Sequence, residues 1–398
     1  MGSSAALDAS PDWAEALTAV GLGEDATAPA PDLALFFASP VYSDLERLVR
    51  EAYLRSAASV MIGCSGQGII GPGREIEGEH ALSICNLDLP GARLYPRHIE
   101  TDDVAALATP ADWQQWAGLT PDEVNAWIVL IDPYTFDAEN LAQGLASAYP
   151  GAPIMGGLAS GMSSNGTLLY LDGQVHESGA VIMAMGGAYT IQSVVAQGAA
   201  PIGEPWAITS VERNVLRTIG NRPALEVLRD TLNGLSEPMR RRASRNILVG
   251  LAMDEYRDSF EQGDFLIRNL MGVDQNTGAV AIGAMPQVGQ TIQFQVRDAD
   301  AADQDLTRKL EQARAQLDGI EPAGALLCTC NGRGVGLFGS PNHDAGKVAE
   351  TLGEVPLAGF FCNGEIGPVG GRTFLHGFTA SLALFVPKAV PALQSPEE

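Results

Sequence analysis

Three times along this chain a strand-length apolar run enters a glycine-rich turn, crosses a spacer of about 15 residues and meets a second apolar run. The copies are SVMIGCSGQGIIGP (59–72) with HALSICNL (80–87), APIMGGLASG (152–161) with SGAVIMAMGG (178–187), and PLAGFFCNGEIGP (356–368) with HGFTASLALF (376–385). Such repetition confines the fold to sheets built from one recurring unit, in which like turns leave like strands. The strongest correspondence sets Cys64 and Ile70-Gly71-Pro72 beside Cys362 and Ile366-Gly367-Pro368, so related halves are expected. Chance similarity between Gly-rich β turns is the competing reading.

A chain of 398 residues exceeds what one hydrophobic core comfortably serves, which makes two domains the expectation. Residues 13–20 read as a helix started by Ser10-Pro11-Asp12, followed by a linker over 21–32. Strand 33–39 and helix 42–58 open the first large unit, with further strands at 126–132, 178–187 and 189–198. A Pro-started amphipathic helix ending at Gly234 introduces a meander of strands, then a helix over 300–318, an apolar strand at 324–330 and a helix over 343–352. The fold class is therefore α/β or α+β: two mixed β-sheet domains flanked by helices, with an N-terminal helix and linker over 1–30, domains over 31–210 and 220–388, and a boundary between 205 and 222. The terminal SPEE reads as a frayed tail.

Asp and Glu number 48 against 24 Lys and Arg, a net charge of −24 that repels nucleic acid and anionic membrane. The one basic cluster, Arg240, Arg241, Arg242 and Arg245, reads as a solvated loop or sheet edge. Five cysteines in or beside apolar runs make no disulfide framework, no signal peptide opens the chain, and no apolar stretch of ~18 residues could span a bilayer, so a cytoplasmic location is expected.

Groups able to hold a ligand concentrate between 328 and 376. Glycines there, Gly334 among them, allow backbone to approach a ligand closely. Around them stand the amides of Asn331 and Asn363, the guanidiniums of Arg333 and Arg372, the Glu365 carboxylate and the imidazoles of His343 and His376, a mixture that suits a zwitterion. Arg333 and Glu365, on different Gly-bounded turns, are the expected opposite ends of one pocket. On that reading Arg333→Ala abolishes ligand response and leaves the unliganded fold intact. Cys362 is the candidate nucleophile if the chain is an enzyme, with a buried inert thiol as the alternative. Nucleotide motifs are absent, and the CxC at Cys328 and Cys330 lacks zinc-site spacing. Haem, ligated by a His or Cys, stays open, though no CxxCH motif exists. Ser65, Gln67, Ser160, Ser163, Ser164 and Asn165 read as turn formers before they read as a site.

At CNGRGVGLFGSPNHDA and VPLAGFFCNGEIGPVGGRTFLHGFTAS the chain resembles the C-terminal domain of the FIST family, and IGCSGQGIIGPG with PIMGGLASG resembles its N-terminal partner. The resemblance spans roughly 31–388, most specifically in GEIGP and LHGFT. It implies a small-molecule-binding sensory module in signal transduction, with amino acids as proposed ligands; some members of the family are haem-based nitric-oxide sensors, and eukaryotic ones carry an F-box. The 30 residues ahead of the match are too short for an F-box and no output domain follows residue 388, so a signalling partner protein is expected to carry the response. A Cys-dependent enzyme and a scaffold that binds only proteins are the other readings.

Overall fold

The computed structural model describes residues 2–23, 30–161, 166–257, 259–260 and 262–388. The middle of the linker, Ser163, Ser164, Asn165, the side chain of Arg245 and the terminal SPEE lie outside them.

Each of the three sequence copies belongs to a structural unit of one design. In the first unit, strands Leu33–Ala38 and Val60–Ser65 run parallel, joined by the helix Leu45–Ser56, and Leu82–Leu87 lies antiparallel to the first strand. The second repeats this with Ala126–Ile131, helix Ala138–Ala148, Ile154–Leu158 and Ala180–Gly187. The third does so with Gly324–Cys330, helix His343–Leu352, Leu357–Cys362 and Thr379–Pro387. An edge strand completes each sheet: Ser4–Asp8, Ala92–Ile99 and Tyr189–Gln197 respectively. Parallel pairing through a crossover helix requires strands buried on both faces, which is why these runs are apolar without interruption.

Alternation decides what each face meets. Leu33, Leu35 and Phe37 point into a core shared by all three sheets with Ile128, Leu326 and Phe360, whereas Ala34, Phe36 and Ala38 pack beneath the first unit's own helix. One glycine per unit carries the clearest mark of common design. A Cβ on Gly63, Gly156 or Gly359 would sit 1.6, 1.8 or 1.9 Å from the carbonyl oxygen of Phe36, Val129 or Leu327, the residue opposite it on the parallel neighbour. No side chain fits there, so all three positions require glycine.

The hairpin that leaves each second strand crosses to another sheet. Gly68–Gly71 pairs with Leu357–Cys362, Leu169–Leu171 with Val60–Ser65, and Glu365–Val369 with Ile154–Leu158. Ile70 faces Gly359 as Ile366 faces Gly156, so the two Ile-Gly-Pro turns are equivalent. Cys64 and Cys362 are not: counted from the shared glycine, Cys64 matches Phe360, two residues before Cys362. The N-terminal half thus holds two copies of the unit and the C-terminal half one, and the halves are related through a unit smaller than either.

Between the edge strand of the third unit and its first helix, Ala299–Leu317, lies an antiparallel barrel. It closes because the long strand Ala199–Glu212 pairs on one side with Thr291–Arg297 and on the other with Val215–Ile219. Ile202, Leu216, Val249, Ile292 and Phe294 fill it beneath the helix Ala224–Asn233. The expected mixed α/β architecture, several sheets flanked by helices, is therefore what the chain adopts. Two local expectations change. Arg240, Arg241 and Arg242 lie on a helix, Glu237–Asn246, instead of a loop or sheet edge, because Ser236, Glu237 and Pro238 form a helix start and arginine is a good helix former; exposure was expected and holds. Residues 4–8, read as part of a terminal helix and linker, form an edge strand. No helix among the described residues is long and apolar enough to cross a membrane.

Candidate functional site

The turn after strand Gly324–Cys330 carries Arg333 under the start of helix His343–Leu352, where the guanidinium meets Asp344 as a fork: Nε donates to Oδ2 at 2.6 Å and Nη2 to Oδ1 at 2.8 Å. Both side chains are 1% exposed. The Thr329 hydroxyl donates to Asp344 Oδ2 at 2.7 Å, and His343 Nδ1 lies 2.9 Å from Oδ1. Burial opposes a charge on Asp344, but the Arg333 charge and the hydrogen bonds from Arg333, His343 and Thr329 outweigh it and hold the carboxyl below its usual range. Among the described residues Nη1 of Arg333 has no hydrogen-bond partner.

Two more carboxyls enter from hairpins. Glu75, on the hairpin that the first unit lends to the third sheet, accepts from the Ala345 N–H at 2.8 Å and so caps the same helix. Burial, then the nearby Asp344 charge, pushes it up to about 8. Glu365 is fully buried; it accepts from the Cys362 thiol at 3.0 Å and from the Thr379 N–H at 3.0 Å, and burial pushes it up to about 8 as well. Burial and the Glu365 charge raise the Cys362 thiol well above its ordinary value, and Cys330 is pushed up to about 12 by the same two causes. A thiol so placed stays protonated at neutral pH, the opposite of what a nucleophile needs.

The sequence candidates thus separate into groups. Arg333 and His343 meet at Asp344, and Cys362 meets Glu365. Asn331 donates to Asn363 at 2.9 Å, and Asn363 to the Ala159 carbonyl at 3.0 Å. Gly334, at φ +63°, lies against the Glu77 carboxyl, which accepts from the Val335 N–H at 2.9 Å. His376 faces Glu365 across its hairpin; its Nε2 lies 2.9 Å from the Gly367 carbonyl, and burial lowers its pKa to about 4. Arg372 lies apart, at the tip of that hairpin. Asp344, Thr329 and Glu75 escaped the sequence reading. Asp344 adjoins a named candidate, but Glu75 is 270 residues from the N–H it caps, and only the hairpin exchange brings it there.

A His or Cys that ligates haem, as the sequence reading has it, must be free to face a flat apolar slot. His343 lies within hydrogen-bond distance of Asp344 at one ring nitrogen and Asp303 at the other, and His376 is sealed against Gly367. His98 and His176 stack on each other at 3.8 Å between centroids, and His80 packs edge-on against Tyr42. No group of three or more His, Cys, Asp or Glu among the described residues is placed to hold a metal ion. The residues present do not fit haem.

Open space lies elsewhere. A groove of about 1160 Å³ separates the barrel from the three-unit body. The helix Ala138–Ala148 supplies Glu139, the hairpin of the third unit supplies Arg372 and Phe374, and the barrel supplies Arg213, Arg268 and an apolar wall that includes Met285 and Val288. Arg268 donates to Glu139 at 3.4 Å. The Arg372 guanidinium lies 5.4 Å over the Phe374 ring. Cationic groups beside apolar surface in a concave site of this size suit a small ligand.

Models of two protein domains match the chain: the FIST N domain over residues 32–222 and the FIST C domain over 224–368. An uncharacterized protein of Mycobacterium tuberculosis is 40% identical over 365 residues, covering 91% of this chain and 93% of its own. One from Mycobacterium bovis is 40% identical over 374 residues, 93% of this chain and 95% of its own. An F-box/LRR-repeat protein of Arabidopsis thaliana is 33% identical over 88 residues, 21% of this chain and 17% of its own. Among solved structures, a cyanuric acid hydrolase aligns with 98% of this chain and 100% of its own at a TM-score of 0.34 and 9% identity, too loose a likeness to carry an argument.

Proposed function

Since the chain belongs to the FIST family, whose domains are associated with signal-transduction sensing, we propose that it is a sensory protein that captures a small metabolite in the groove between barrel and three-unit body and acts through a partner protein. The observation that carries this reading is the groove itself. It lies where two separately packed modules meet, so a ligand touching both changes how they are held together. Arg372 is a sequence candidate on its wall, and amino acids are the first ligands to test. The buried centre around Arg333 then serves as framework: its fork ties the turn after strand Gly324–Cys330 to the start of helix His343–Leu352. We place the protein in the cytoplasm, a reading supported by five free cysteines, four of them buried.

A thermal-shift screen of the purified chain against amino acids, nucleotides and haem tests the proposal, because a ligand that binds only the folded state raises stability by RT ln(1 + [L]/Kd). The expected result is a saturable rise with a class of small metabolite, lost in Arg372→Ala. A flat screen would turn the reading toward a protein-binding scaffold.

A further inference from the structure

The two acidic side chains that line the groove among the described residues are already engaged. Glu139 accepts from Arg268 at 3.4 Å, and Glu255 accepts from the Thr291 N–H at 2.9 Å and from its hydroxyl at 2.5 Å. Two of the cations are not matched in this way. Among the described residues no carboxylate lies within ion-pair distance of Arg213 or Arg372; Arg372 makes only a long contact, 3.5 Å, to the Met253 carbonyl, besides its stacking on Phe374. In a chain with twice as many acids as bases, two guanidiniums without a carboxylate on one groove are a concentration of uncommitted positive charge.

The same groove leaves large apolar side chains bare. Met271, Met285 and Val288 are 66%, 67% and 64% exposed, and methionine adapts readily to an irregular apolar body. Resting on the reading of the groove as a ligand site, we infer that its ligand is an amphipathic monocarboxylate: an anionic head held by Arg213 and Arg372, and an aliphatic or aromatic body laid against the methionine-lined barrel wall. A zwitterion suits the groove less well, because among the described residues its ammonium group finds no uncommitted carboxylate there. An arginine fork matches a carboxylate in geometry as well as in charge.

The chemistry can be separated with three probes of like shape on the full chain: 3-phenylpropionate, its neutral amide and L-phenylalanine, each titrated calorimetrically. The carboxylate is expected to bind at least ten-fold more tightly than the other two, and more weakly as salt is raised. Arg372→Gln and Arg213→Asn should each weaken it about ten-fold. Asparagine tolerates the left-handed backbone of position 213, at φ +54°, and both sites are exposed, so the unliganded melting temperature, measured alongside, should hold. If L-phenylalanine binds as tightly as the carboxylate and Arg372→Gln abolishes both, the groove is a ligand site and the inference about its ligand fails. Carboxylate binding that both variants leave unchanged overturns the inference as well. If no probe binds and the metabolite screen is also flat, the sensor reading falls with it.

Discussion

Arg333 shows how burial changes the meaning of a residue. In the sequence it is a cation on a glycine-bounded turn, available to a ligand and removable without harm to the fold. In the structure it is sealed, and its fork is the main counter-charge of Asp344. Arg333→Ala leaves a buried carboxylate uncompensated, so the expected cost is about 3–5 kcal/mol in urea unfolding, far beyond a surface change. A loss below about 1 kcal/mol would show that water or another cation reaches Asp344. Glu365 makes the second prediction at this scale. Its folded value of about 8 stands above the ordinary 4.5, so the folded chain holds a proton that the unfolded chain releases. The stability this contributes is complete below pH 4.5 and is lost as pH rises through 8, with a slope of at most about 1.4 kcal/mol per pH unit. Glu75 adds a second decline of the same sign. Glu365→Gln should flatten the fall in melting temperature between pH 5 and 8 without abolishing it, whereas an unchanged slope would mean that Glu365 is ionised in the fold.

The exchanged hairpins are the elements on which the body depends, and their junctions are nearly alike. The Asn363 N–H donates to the Leu158 carbonyl at 3.0 Å, and at the equivalent place the Ser160 N–H donates to the Ser65 carbonyl at 3.2 Å. The third junction, between Gln67 and Phe361, is bridged instead: the Ser160 hydroxyl accepts from the Gln67 N–H at 2.7 Å and donates to the Phe361 carbonyl. Ser160→Ala removes both bonds inside the protein, and a loss of about 1–3 kcal/mol is expected by chemical denaturation. A change within 0.5 kcal/mol would indicate that a water takes the hydroxyl's place. The strands and helices of each unit were legible because uninterrupted apolar runs, helix starts and glycine turns are local signals. The exchange was not, since each hairpin finds its partner strand in another copy and nothing in the 68–77 segment names 357–362 as its neighbour. Ser160, read as a turn former, therefore gave no sign of joining all three units.

At the scale of the molecule, the family models divide the chain between 222 and 224, inside the barrel, whereas the hydrogen bonds divide it into a three-unit body and an insert. The groove exists because the insert packs beside the body, and each wall draws on both halves of the sequence: Glu139 and Arg372 stand on the body, Arg213 and Arg268 on the barrel. That is why the groove could not be located from the residues, even though a crevice between two modules could be expected and Arg372 could be singled out. The insert also begins and ends at one place: the Asp298 N–H lies 3.4 Å from the Gly198 carbonyl, between the strand Tyr189–Gln197 and the helix Ala299–Leu317. A short Gly-Ser linker can therefore replace 199–297 without stretching the body. The shortened chain is expected to fold as a monodisperse protein with a cooperative thermal transition, because the central core and the cores under the helices draw almost all their side chains from outside the insert. It should bind none of the groove's ligands. Its melting temperature should fall, since Gln197 loses its bond to the Phe265 carbonyl and Asp298 its ion pair with Arg242. Should the shortened chain aggregate or melt without cooperativity, barrel and body form one folding unit, and the sensor would work by strain within a single core instead of by shifting two modules against each other.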